Sequence, residues 1–534
     1  MRAVEADLAI VGSGVCGLLA AWAPLRAGAR VAMLERGTLK THEEQLADGE
    51  WAADVPGAQP NNETAPGTEP YPWSYVYGVG GSTLHWSGTT PRFVASDFKM
   101  RSRYGVMLDW PLSLEDLLPY YRRAEQALGI SGAPRGGSGE AGGPPLPGAR
   151  TLPPHPHSPM DEIVGPHLEP FGPLPQARPS QPLQDRPACC ASATCELCPV
   201  DARFSPLNGL RAVLDHGGLD LRRQTVAAHL RTSGDGSSIE AIEAIGPDGE
   251  RLLVRAQRYV LAANGFENPA ILLRSGVSRP DVGHYLADHG HTSVFVTLKR
   301  EVKPGYGTTL VTGLSEAFRD GPFRSRHAAA IVGPYNPGVP LGPLVAHKVL
   351  AGNDGKQVRA DALTEWRRIL PLDMLSEDHP RRARRVTLSP RRDSFGLPLN
   401  RIAYSPPSRY ERDGIASVVE SLHSRLTPLG VRGVTAKPGP RGGHLLGTCR
   451  MGSGDEGVVD DQMRHLDVEN LFVAGGSAFP TYGPVHPTLT VAALALRLGE
   501  LLAGELSPSS GAGREAGAGP RDRSPAAPVP ATDS

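Results

Sequence analysis

The sequence has almost no excess charge and no long apolar run. Its 55 lysine and arginine residues balance 56 aspartate and glutamate residues, which leaves a net charge of −1 over 534 residues. Nucleic-acid-binding proteins and proteins that attach to anionic membranes carry clusters of positive charge, so this composition favours neither kind of partner. No run of about 18 apolar residues occurs, and no transmembrane helix is therefore expected.

The first residues also lack the pattern of a signal peptide. The apolar segment "DLAIVG" is short, follows the acidic Glu5 and leads directly into a glycine motif. A secretory signal would need a longer apolar stretch after positive residues, so the sequence predicts a cytoplasmic protein.

Cysteine is scarce, with six residues, which are too few for a disulfide framework in a chain of this length. Four of them lie within ten residues in "CCASATCELC". In a chain without a signal peptide, such clustering is typical of a metal or redox site. Thiolates bind iron–sulfur clusters and zinc, and the pattern also fits structural or disulfide-bonded cysteines, so three interpretations stay open. The predicted metal ligands are Cys189, or the adjacent Cys190 in its place, with Cys195 and Cys198.

Glycine and proline are abundant, at 63 and 52 residues, which fits a loop-rich α/β enzyme. Residues 6–11 predict a short buried strand, residues 14–27 a helix and residues 30–35 a second strand. This order is the start of a βαβ unit. Pro24 lies inside the predicted helix and removes one hydrogen bond, so a kink or an early end is expected there.

The turn between the first strand and the helix carries a dinucleotide-binding pattern. In "GSGVCG", Gly12, Gly14 and Gly17 have the G-x-G-x-x-G spacing, which allows a tight turn and a close approach of a pyrophosphate to the helix N-terminus. Glu35 ends the second strand, where its carboxylate can accept hydrogen bonds from a ribose. Strand, motif, helix, strand and terminal acid together predict a dinucleotide site.

Other segments have recognisable local patterns. Residues 41–72 are polar and rich in proline and glycine, and they predict a long loop. Residues 113–128 have helical apolar spacing with Ser113 as N-cap, and a break at Pro119 into a short turn and a longer helix is expected. Residues 290–440 mix strand-like segments with loops and indicate a separate sheet-based domain.

Two further glycine-rich segments indicate how the cofactor lies. "VYGVGGSTLHWSGTTPRF" has glycines that let the backbone pass close to a flat ligand. "LFVAGGSAFPT" places Gly475 and Gly476 directly after a buried strand, where α/β sheets bind ligands. Three glycine-rich segments spread over the whole chain predict a cofactor that lies extended through the protein.

Taken in order, seven segments resemble the glucose–methanol–choline (GMC) oxidoreductases, which are FAD-dependent enzymes that oxidise alcohols. Within the family, the chain is most similar to the large flavoprotein subunits of bacterial gluconate, sorbitol, fructose and glucose dehydrogenases. The segments cover the chain from residue 6 to about residue 504, and the match is thinner in 290–440. They are "DLAIVGSGVCG", "GVGGSTLHWSGTTPRF", "DFKMRSRYGVMLDWPLSLEDLLPYYRRAEQALGISG", "CELCPVDARF", "VLAANGFENPAILLRSG", "HLLGTCRMG" and "LFVAGGSAFPTYGPVHPTLTVAALALR".

The resemblance implies an α/β fold with two domains. An FAD-binding, Rossmann-like doubly wound domain is assembled from discontinuous segments, and an α+β substrate domain contains an antiparallel sheet. The first domain takes 1–95, 190–289 and 440–505, and the second takes 96–189 and 290–439. Residues 506–534 are rich in proline, alanine, glycine and serine without periodicity, and they predict a disordered tail.

Two histidines near the end of the chain match the catalytic positions of the family. Alcohol oxidation needs a base for the hydroxyl proton while hydride leaves the carbon for the flavin N5, and histidine suits this because its usual pKa lies near neutral. GMC enzymes hold one histidine in an H-x-x-G-T-C-like segment and a histidine or asparagine before the last helix. His444 and His486 match, and we expect His444 to be the base and His486 to bind the substrate oxygen, although the roles could exchange. The sugar dehydrogenases usually have asparagine at the second position.

The resemblance also implies the contacts with FAD. "LHW" places His85 where pyranose oxidases, another GMC branch, carry a histidine attached covalently to FAD, and a non-covalent contact is the favoured interpretation here. The predicted cofactor contacts are Gly12, Ser13, Gly14, Gly17, Glu35, Arg36, Gly80, Gly81, Ser82, His85, Trp86, Val226, Ala263, Gly475, Pro487 and Thr488.

The related glucose dehydrogenases also imply a role for the cysteines. Their C-C-x4-C-x3-C-P segment holds a three-iron cluster that passes electrons from FAD, whereas the last gap here is two residues. The implied ligands are again Cys189, Cys195 and Cys198.

The favoured function is FAD-dependent oxidation of a CH–OH group of a sugar, polyol or related alcohol. Electrons would leave to an acceptor other than NAD, through an iron–sulfur cluster or directly to a quinone or cytochrome, and a small partner subunit fits this class. Related large subunits can be exported with a partner that carries the signal. Two alternatives are an oxygen-using alcohol or pyranose-type oxidase and an electron-transfer flavoprotein without substrate chemistry of its own.

Overall fold

The computed structural model describes residues 2–48, 61–132, 151–192, 198–439, 442–454 and 456–506. Within these ranges the chain forms four β-sheets and a set of packed helices, so the predicted α/β fold class is confirmed. The predicted disordered tail lies outside the described residues apart from Leu506, and Cys195 of the predicted cluster lies outside them as well.

Short parallel strands form the sheet that follows the first glycine motif. The strands on either side of the motif are entirely apolar and buried, as expected for a parallel sheet that is covered on both faces. All neighbours pair in parallel, so the carboxyl ends of the strands lie along one edge. The order across this parallel sheet is Leu471–Val473, Arg258–Leu261, Leu8–Val11, Val31–Leu34 and Leu219–Arg222.

Three packed helices adjoin the parallel sheet and share its hydrophobic core. Val15–Arg26 packs against Thr488–Glu505, which in turn packs against Leu114–Leu128. The first two approach so closely at Gly499 that an added Cβ would lie 2.9 Å from the carbonyl oxygen of Ala20. The helix that follows the glycine motif and the last described helix therefore lie side by side.

Two prolines lie inside these helices, and neither ends its helix at the proline. The first helix ends at Arg26, two residues beyond Pro24. Leu114–Leu128 is one helix that contains Pro119, so the predicted split is wrong. The reason is packing: the face of this helix that includes Tyr121 is fully buried, and its burial outweighs the single hydrogen bond that a proline removes.

A second, antiparallel sheet stands opposite the parallel sheet. The strand order is Val431–Gly439, Gly290–Leu298, Ile369–Ser376, Ala330–Pro334, Gly313–Ser315 and Phe171–Pro173. Side chains alternate between its faces, and one face packs against the helix Arg409–Leu426 in a separate hydrophobic cluster. The other face is left for the cavity described below.

The remaining elements surround these two sheets. A four-stranded sheet contains Arg2–Glu5, Arg251–Arg255, Ile239–Ile245 and Val226–Thr232, and a three-stranded sheet contains Arg385–Arg392, Pro398–Ala403 and Asn62–Thr64. The region 41–72 is not wholly loop as expected, because its described part includes the helix His42–Asp48 and the strand Asn62–Thr64. Further helices are Met100–Tyr104, Pro159–Val164, Pro206–Gly209, Arg211–Leu214, Asn264–Arg274, Leu341–Leu350 and Gly355–Trp366.

A buried ion cluster packs against the loop that leads into the last helix. The guanidinium of Arg324 is fully buried, 3.0 Å from the carboxylate of Asp97 and 2.6 Å from that of Glu377. Asp97 leaves no room beside it for a side chain at Gly483, where an added Cβ would lie 2.2 Å from its Oδ1. Buried charges need such pairing, and the carboxylate of Asp97 packs directly against the backbone at Gly483.

Candidate active site

A cavity of about 810 Å³ runs from the carboxyl edge of the parallel sheet to the antiparallel sheet. The two histidines that were predicted to be catalytic, His444 and His486, both line it. Ser13 and Gly17, which were predicted to contact the cofactor, do not line it. The other predicted cofactor contacts all line it, namely Gly12, Gly14, Glu35, Arg36, Gly80, Gly81, Ser82, His85, Trp86, Val226, Ala263, Gly475, Pro487 and Thr488.

The first glycine turn is shaped by close backbone contacts. Gly12 has φ +103°, and an added Cβ would lie 2.5 Å from the carbonyl oxygen of Ala262. An added Cβ at Gly17 would lie 2.0 Å from the carbonyl oxygen of Gly12. At Gly14, by contrast, the nearest heavy atom to an added Cβ is the Cα of Gly81 at 4.0 Å. Gly12 and Gly17 therefore hold the turn, and Gly14 leaves its surface open to the cavity.

Glu35 joins the glycine turns to each other. Its Oε2 accepts hydrogen bonds from the amide of Ser13 at 3.0 Å and from the Ser13 hydroxyl at 2.7 Å. Its Oε1 accepts from the amides of Gly37 at 2.8 Å and Gly78 at 3.1 Å. Because an ionised carboxylate only accepts hydrogen bonds, one side chain satisfies four donors from three chain segments.

Arg36 lies beside Glu35 at the same end of the cavity. Its guanidinium donates to Asp393 at 2.8 Å and stacks over the rings of Tyr77 and Phe395 at 4.9 and 5.2 Å. Burial lowers the pKa of this guanidinium, but the nearby Glu267, Tyr77 and Asp393 outweigh that effect, so its pKa is raised overall. The group stays charged and fixed in orientation.

This end of the cavity fits a dinucleotide. A glycine turn opens onto the N-terminus of a buried helix, which suits a pyrophosphate, and an acid follows the neighbouring strand. The backbone at Gly80 and Gly81 has positive φ values of 106° and 56° and passes across from Gly14. An elongated ligand can lie between these backbones and extend towards the histidines.

His444 and His486 meet at the other end of the cavity. Their ring centroids are 5.4 Å apart and the rings are nearly perpendicular, at 85°. His486 precedes Pro487, the N-cap of the last helix. The loop of His444 is held by the carboxylate of Asp288, which accepts from the amide of His444 at 3.0 Å and from that of Gly442 at 2.8 Å.

A third histidine, His289, lies behind His444 and was not predicted. Its Nε2 lies 2.9 Å from the carbonyl oxygen of Gly483, and its Nδ1 lies 2.9 Å from the Nδ1 of His444. A carbonyl oxygen can only accept, so Nε2 of His289 carries the proton and donates it. In a neutral ring, Nδ1 of His289 is then an acceptor, and Nδ1 of His444 must be the donor. The neutral His444 is therefore the tautomer with its lone pair on Nε2.

The protonation state of His289 supports this assignment. Burial lowers the pKa of His289 to about 3, and a carbonyl contact with Gly483 only partly opposes that shift. The ring packs against Tyr482 with centroids 4.5 Å apart. Above about pH 4, His289 is therefore neutral and keeps Nδ1 as an acceptor.

Asp288 completes this arrangement. Its Oδ2 accepts from the hydroxyl of Tyr71 at 2.7 Å, and its Oδ1 lies 3.9 Å from Nδ1 of His444. Burial raises the pKa of Asp288 to about 6, and hydrogen bonds from Tyr71 and the backbone amides oppose that shift. At neutral pH the carboxylate is thus mostly ionised and favours a positive charge on His444.

The segment "VGHYLADHGH" contained the signal for these missed residues. Asp288, His289 and His291 lie within it, directly before and at the start of a strand of the antiparallel sheet. Three titratable side chains close together at the start of a strand are the signal that sequence reasoning missed. No role was predicted for this segment from the sequence.

The antiparallel sheet supplies the wall opposite the glycine turns. From this sheet and the segment beside it, the described residues that line the cavity are His291, Leu310, Tyr335, Asp373 and Leu375. His291 and Asp373 are hydrogen-bonded to each other through Nε2 and Oδ1. The substrate side of the cavity thus combines apolar surface with one imidazole–carboxylate pair.

Of the three predicted metal ligands, the structure describes Cys189 and Cys198. The Sγ of Cys198 is buried and accepts from the amide of Arg203 at 3.5 Å, while the Sγ of Cys189 lies 4.0 Å from the carbonyl oxygen of Thr308. The Arg203 guanidinium donates to the carbonyl oxygens of Leu84 and Trp86, both at 2.6 Å. Among the described residues, no three metal-ligating side chains gather at one point, and the iron–sulfur cluster stays a prediction because Cys195 lies outside them.

Comparison with known proteins identifies the family. Two GMC oxidoreductase family profiles match, an N-terminal profile over residues 175–291 and a C-terminal profile over residues 380–495. The chain is also 30% identical over 531 residues to 6'''-hydroxyparomomycin C oxidase of Streptomyces lividus, covering 94% of this chain and 92% of the relative. The chain belongs to the GMC oxidoreductases. The predicted resemblance is thus confirmed.

Two other similarities extend over nearly the full length of this GMC oxidoreductase. It is 28% identical over 547 residues to the fructose dehydrogenase large subunit of Gluconobacter japonicus, covering 94% of this chain and 98% of the relative. A crystal structure of pyridoxine 4-oxidase from Mesorbium loti has the same fold, with a TM-score of 0.63 at 19% identity, covering 93% of this chain and 98% of the other.

These relationships define the general activity. The family and its curated relatives oxidise alcohols, so this GMC oxidoreductase is an alcohol-oxidising enzyme. Of the helices in the described ranges, none combines the length and apolarity that crossing a membrane requires.

Proposed function

We propose that this GMC oxidoreductase holds FAD in the cavity and oxidises a CH–OH group of a sugar, polyol or related alcohol, with His444 as the general base. The observation that carries the proposal is the hydrogen-bonded pair His289–His444, which fixes the lone pair of His444 on Nε2, in a ring whose centroid is 5.4 Å from that of His486. Oxidation of an alcohol requires a base that takes the hydroxyl proton while a hydride passes to the flavin. A base with a fixed tautomer, in a cavity continuous with a dinucleotide cradle, meets this requirement.

The residues around the glycine turns fit the cofactor. Gly12, Gly14 and the N-terminus of the helix Val15–Arg26 would hold the pyrophosphate, and the edge of Glu35 that faces the cavity would meet the ribose. His85 and Trp86 also line the cavity and would contact the ring system. When bound, FAD supplies the acceptor for the hydride that leaves the carbinol carbon.

The protein's own steps concern the hydroxyl proton. Nε2 of His444 accepts the proton of the substrate hydroxyl, and the ring becomes an imidazolium that donates from both nitrogens. Nδ1 of His289 accepts one of these bonds before and after transfer. Since the pKa of His289 is lowered to about 3, the proton stays on His444 and does not pass to its neighbour. The carboxylate of Asp288, 3.9 Å away, stabilises the new positive charge.

His486 is assigned as the hydrogen-bond donor to the substrate oxygen. A ring at nearly a right angle to His444 can donate to an oxygen that lies between the two imidazoles and can stabilise its developing negative charge. Two imidazoles at this distance also disfavour double protonation, which keeps one of them an acceptor.

The electron acceptor separates two forms of this activity. A large-subunit dehydrogenase among the relatives supports a partner subunit or cytochrome as acceptor, whereas relatives named as oxidases support oxygen. Hydrogen peroxide formed in equal amount to the oxidised alcohol would identify an oxidase. Turnover only with an artificial dye or quinone would identify a dehydrogenase.

The proposed function is tested by anaerobic titration of the purified holoprotein. A panel of sugars, polyols, amino sugars and simple alcohols should include at least one that bleaches the visible flavin absorbance at a saturable rate. Re-oxidation by air or by a quinone should restore the colour. A colourless protein, or a yellow one that no member of the panel bleaches, would contradict the proposal and favour a non-catalytic electron-transfer component.

Removal of the His289 acceptor should slow turnover. His289→Leu removes the acceptor for Nδ1–H of His444, so we expect kcat to fall by about 10- to 100-fold with FAD content and KM little changed. His289→Asn is the matched control, because its amide oxygen can occupy the position of the ring Nδ1 and accept the same bond. Steady-state kinetics of the two variants check this. Equal activity in both would show that His289 does not position His444.

A further inference from the structure

The wall opposite the glycine turns contains one acidic side chain in an apolar strand. Ile369–Ser376 has the sequence "ILPLDMLS", in which Asp373 is the sole charged residue. Leu370, Leu372 and Met374 face the second hydrophobic cluster, so alternation turns Asp373 and Leu375 to the cavity. Aspartate is depleted in strands, and a local conflict of this kind is expected at a functional position.

Asp373 is held in place from the neighbouring strand. Its register partner is Ser293, and the diagonal neighbour His291 lies on the same face of the sheet. Nε2 of His291 is hydrogen-bonded to Oδ1 of Asp373. The His291 side chain is 8% exposed and that of Asp373 is 26% exposed. The imidazole is thus packed into the wall, and the carboxylate is the part of the pair that reaches the cavity.

Other acidic groups around the cavity have different tasks. Glu35 is satisfied by the glycine turns and Asp288 by Tyr71 and the loop of His444. Glu267 accepts from the hydroxyl of Tyr77 at 2.8 Å and from Asn400 at 2.9 Å, near Arg36 at the far end. Of the acidic residues that the structure describes along the cavity, Asp373 is the one that belongs to the antiparallel sheet.

We infer that Asp373, oriented by His291, is a specificity-determining residue that accepts a hydrogen bond from a second polar group of the substrate. This inference rests on the proposed function and refines its substrate class. The substrate carries a hydroxyl or ammonium donor besides the reacting carbinol, as polyols, sugars and amino sugars do. An alcohol that is apolar apart from its carbinol would strip water from the carboxylate without replacing the lost bonds.

The test combines a substitution with a panel of probes. Asp373→Asn keeps the size of the side chain, removes the charge and turns one oxygen into a donor. Wild type and variant are compared with D-glucose and D-sorbitol as hydroxyl donors, D-glucosamine as an ammonium donor, and cyclohexylmethanol as an alcohol with neither. The measurement is kcat/KM from the rate of flavin reduction, and the flavin content of each preparation serves as the folding control.

The expected result is a selective loss. The variant should lose about 10- to 100-fold in kcat/KM for the polar probes that wild type oxidises and less than about 3-fold for cyclohexylmethanol. A loss confined to D-glucosamine would identify the donor as an ammonium, and a loss on D-glucose or D-sorbitol would identify it as a hydroxyl. An equal loss on all probes, no loss, or a wild-type preference for cyclohexylmethanol would overturn the inference.

A binding measurement separates this inference from the proposed function. Cyclohexylamine has an ammonium group and no carbinol, and myo-inositol offers several hydroxyls, so each can perturb the flavin absorbance by binding alone. If one of them binds wild type at least about 10-fold more tightly than Asp373→Asn, the recognition stands even if no alcohol is oxidised. If both bind the two proteins equally, the inference falls, whatever the turnover. His291→Leu should weaken binding in the same direction, because the carboxylate loses its orienting partner.

Discussion

Replacing His444 with alanine is expected to leave the protein yellow and to slow anaerobic flavin reduction by about 10³-fold. The loss is large because Nε2 of His444 is assigned as the acceptor of the hydroxyl proton. The loop itself should survive, since Asp288 binds the backbone amides of His444 and Gly442 rather than the imidazole alone. Stopped-flow reduction with the best alcohol from the titration panel measures the effect.

His486→Asn is the matched comparison for that variant. Asparagine can donate to the substrate oxygen but cannot take up a proton near neutral pH, so its loss should be smaller than that of His444→Ala. Unchanged turnover in His444→Ala would refute the assignment of the base. A larger loss in His486→Asn than in His444→Ala would exchange the two roles.

The sequence predicted the parts of this site that depend on local pattern. A glycine motif between an apolar strand and a helix is defined by neighbours in the chain, and so is an acid at a strand end such as Glu35. His444 and His486 were found because each lies in a distinctive segment. Their meeting in space was inferred from family order, and the structure places their ring centroids 5.4 Å apart.

The parts that were missed depend on contacts far apart in sequence. His289 gains its role only because Gly483 and His444 are brought to its two nitrogens, and each lies more than 150 positions away in the chain. A histidine in a loop before a strand has no periodic pattern that marks such a role. Asp373 likewise is a single charged residue in an apolar strand. Its role becomes evident only because one face of that strand lines the cavity.

Local rules also failed where packing outweighed them. Pro119 was expected to break a helix because the rule counts one missing hydrogen bond. The structure keeps the helix Leu114–Leu128 whole, because Leu117 and Tyr121 are buried against the last helix and the hydroxyl of Tyr121 meets Thr490 at 2.7 Å. Tertiary burial of one face is worth more than one backbone bond.

Glu35→Gln is expected to weaken FAD binding and to lower the free energy of unfolding by about 1–3 kcal/mol, from one backbone donor left unsatisfied. The carboxylate accepts from Ser13, Gly37 and Gly78 and is 6% exposed. A glutamine of the same shape can keep its oxygen on the amides of Gly37 and Gly78, but its NH₂ group then faces the Ser13 amide, which cannot accept, and the Ser13 hydroxyl must turn to accept. The first glycine turn therefore loses the backbone bond that joins it to the other segments.

The measurements are the flavin absorbance per protein and urea unfolding. Glu44→Gln is the control, because Glu44 is exposed and accepts from the amide of Thr41 at the start of a short surface helix. It should keep full flavin content and the wild-type unfolding midpoint. A yellow Glu35→Gln protein with full FAD occupancy would show that the four hydrogen bonds to this carboxylate do not hold the cradle, and it would remove the strongest structural argument for where the cofactor binds.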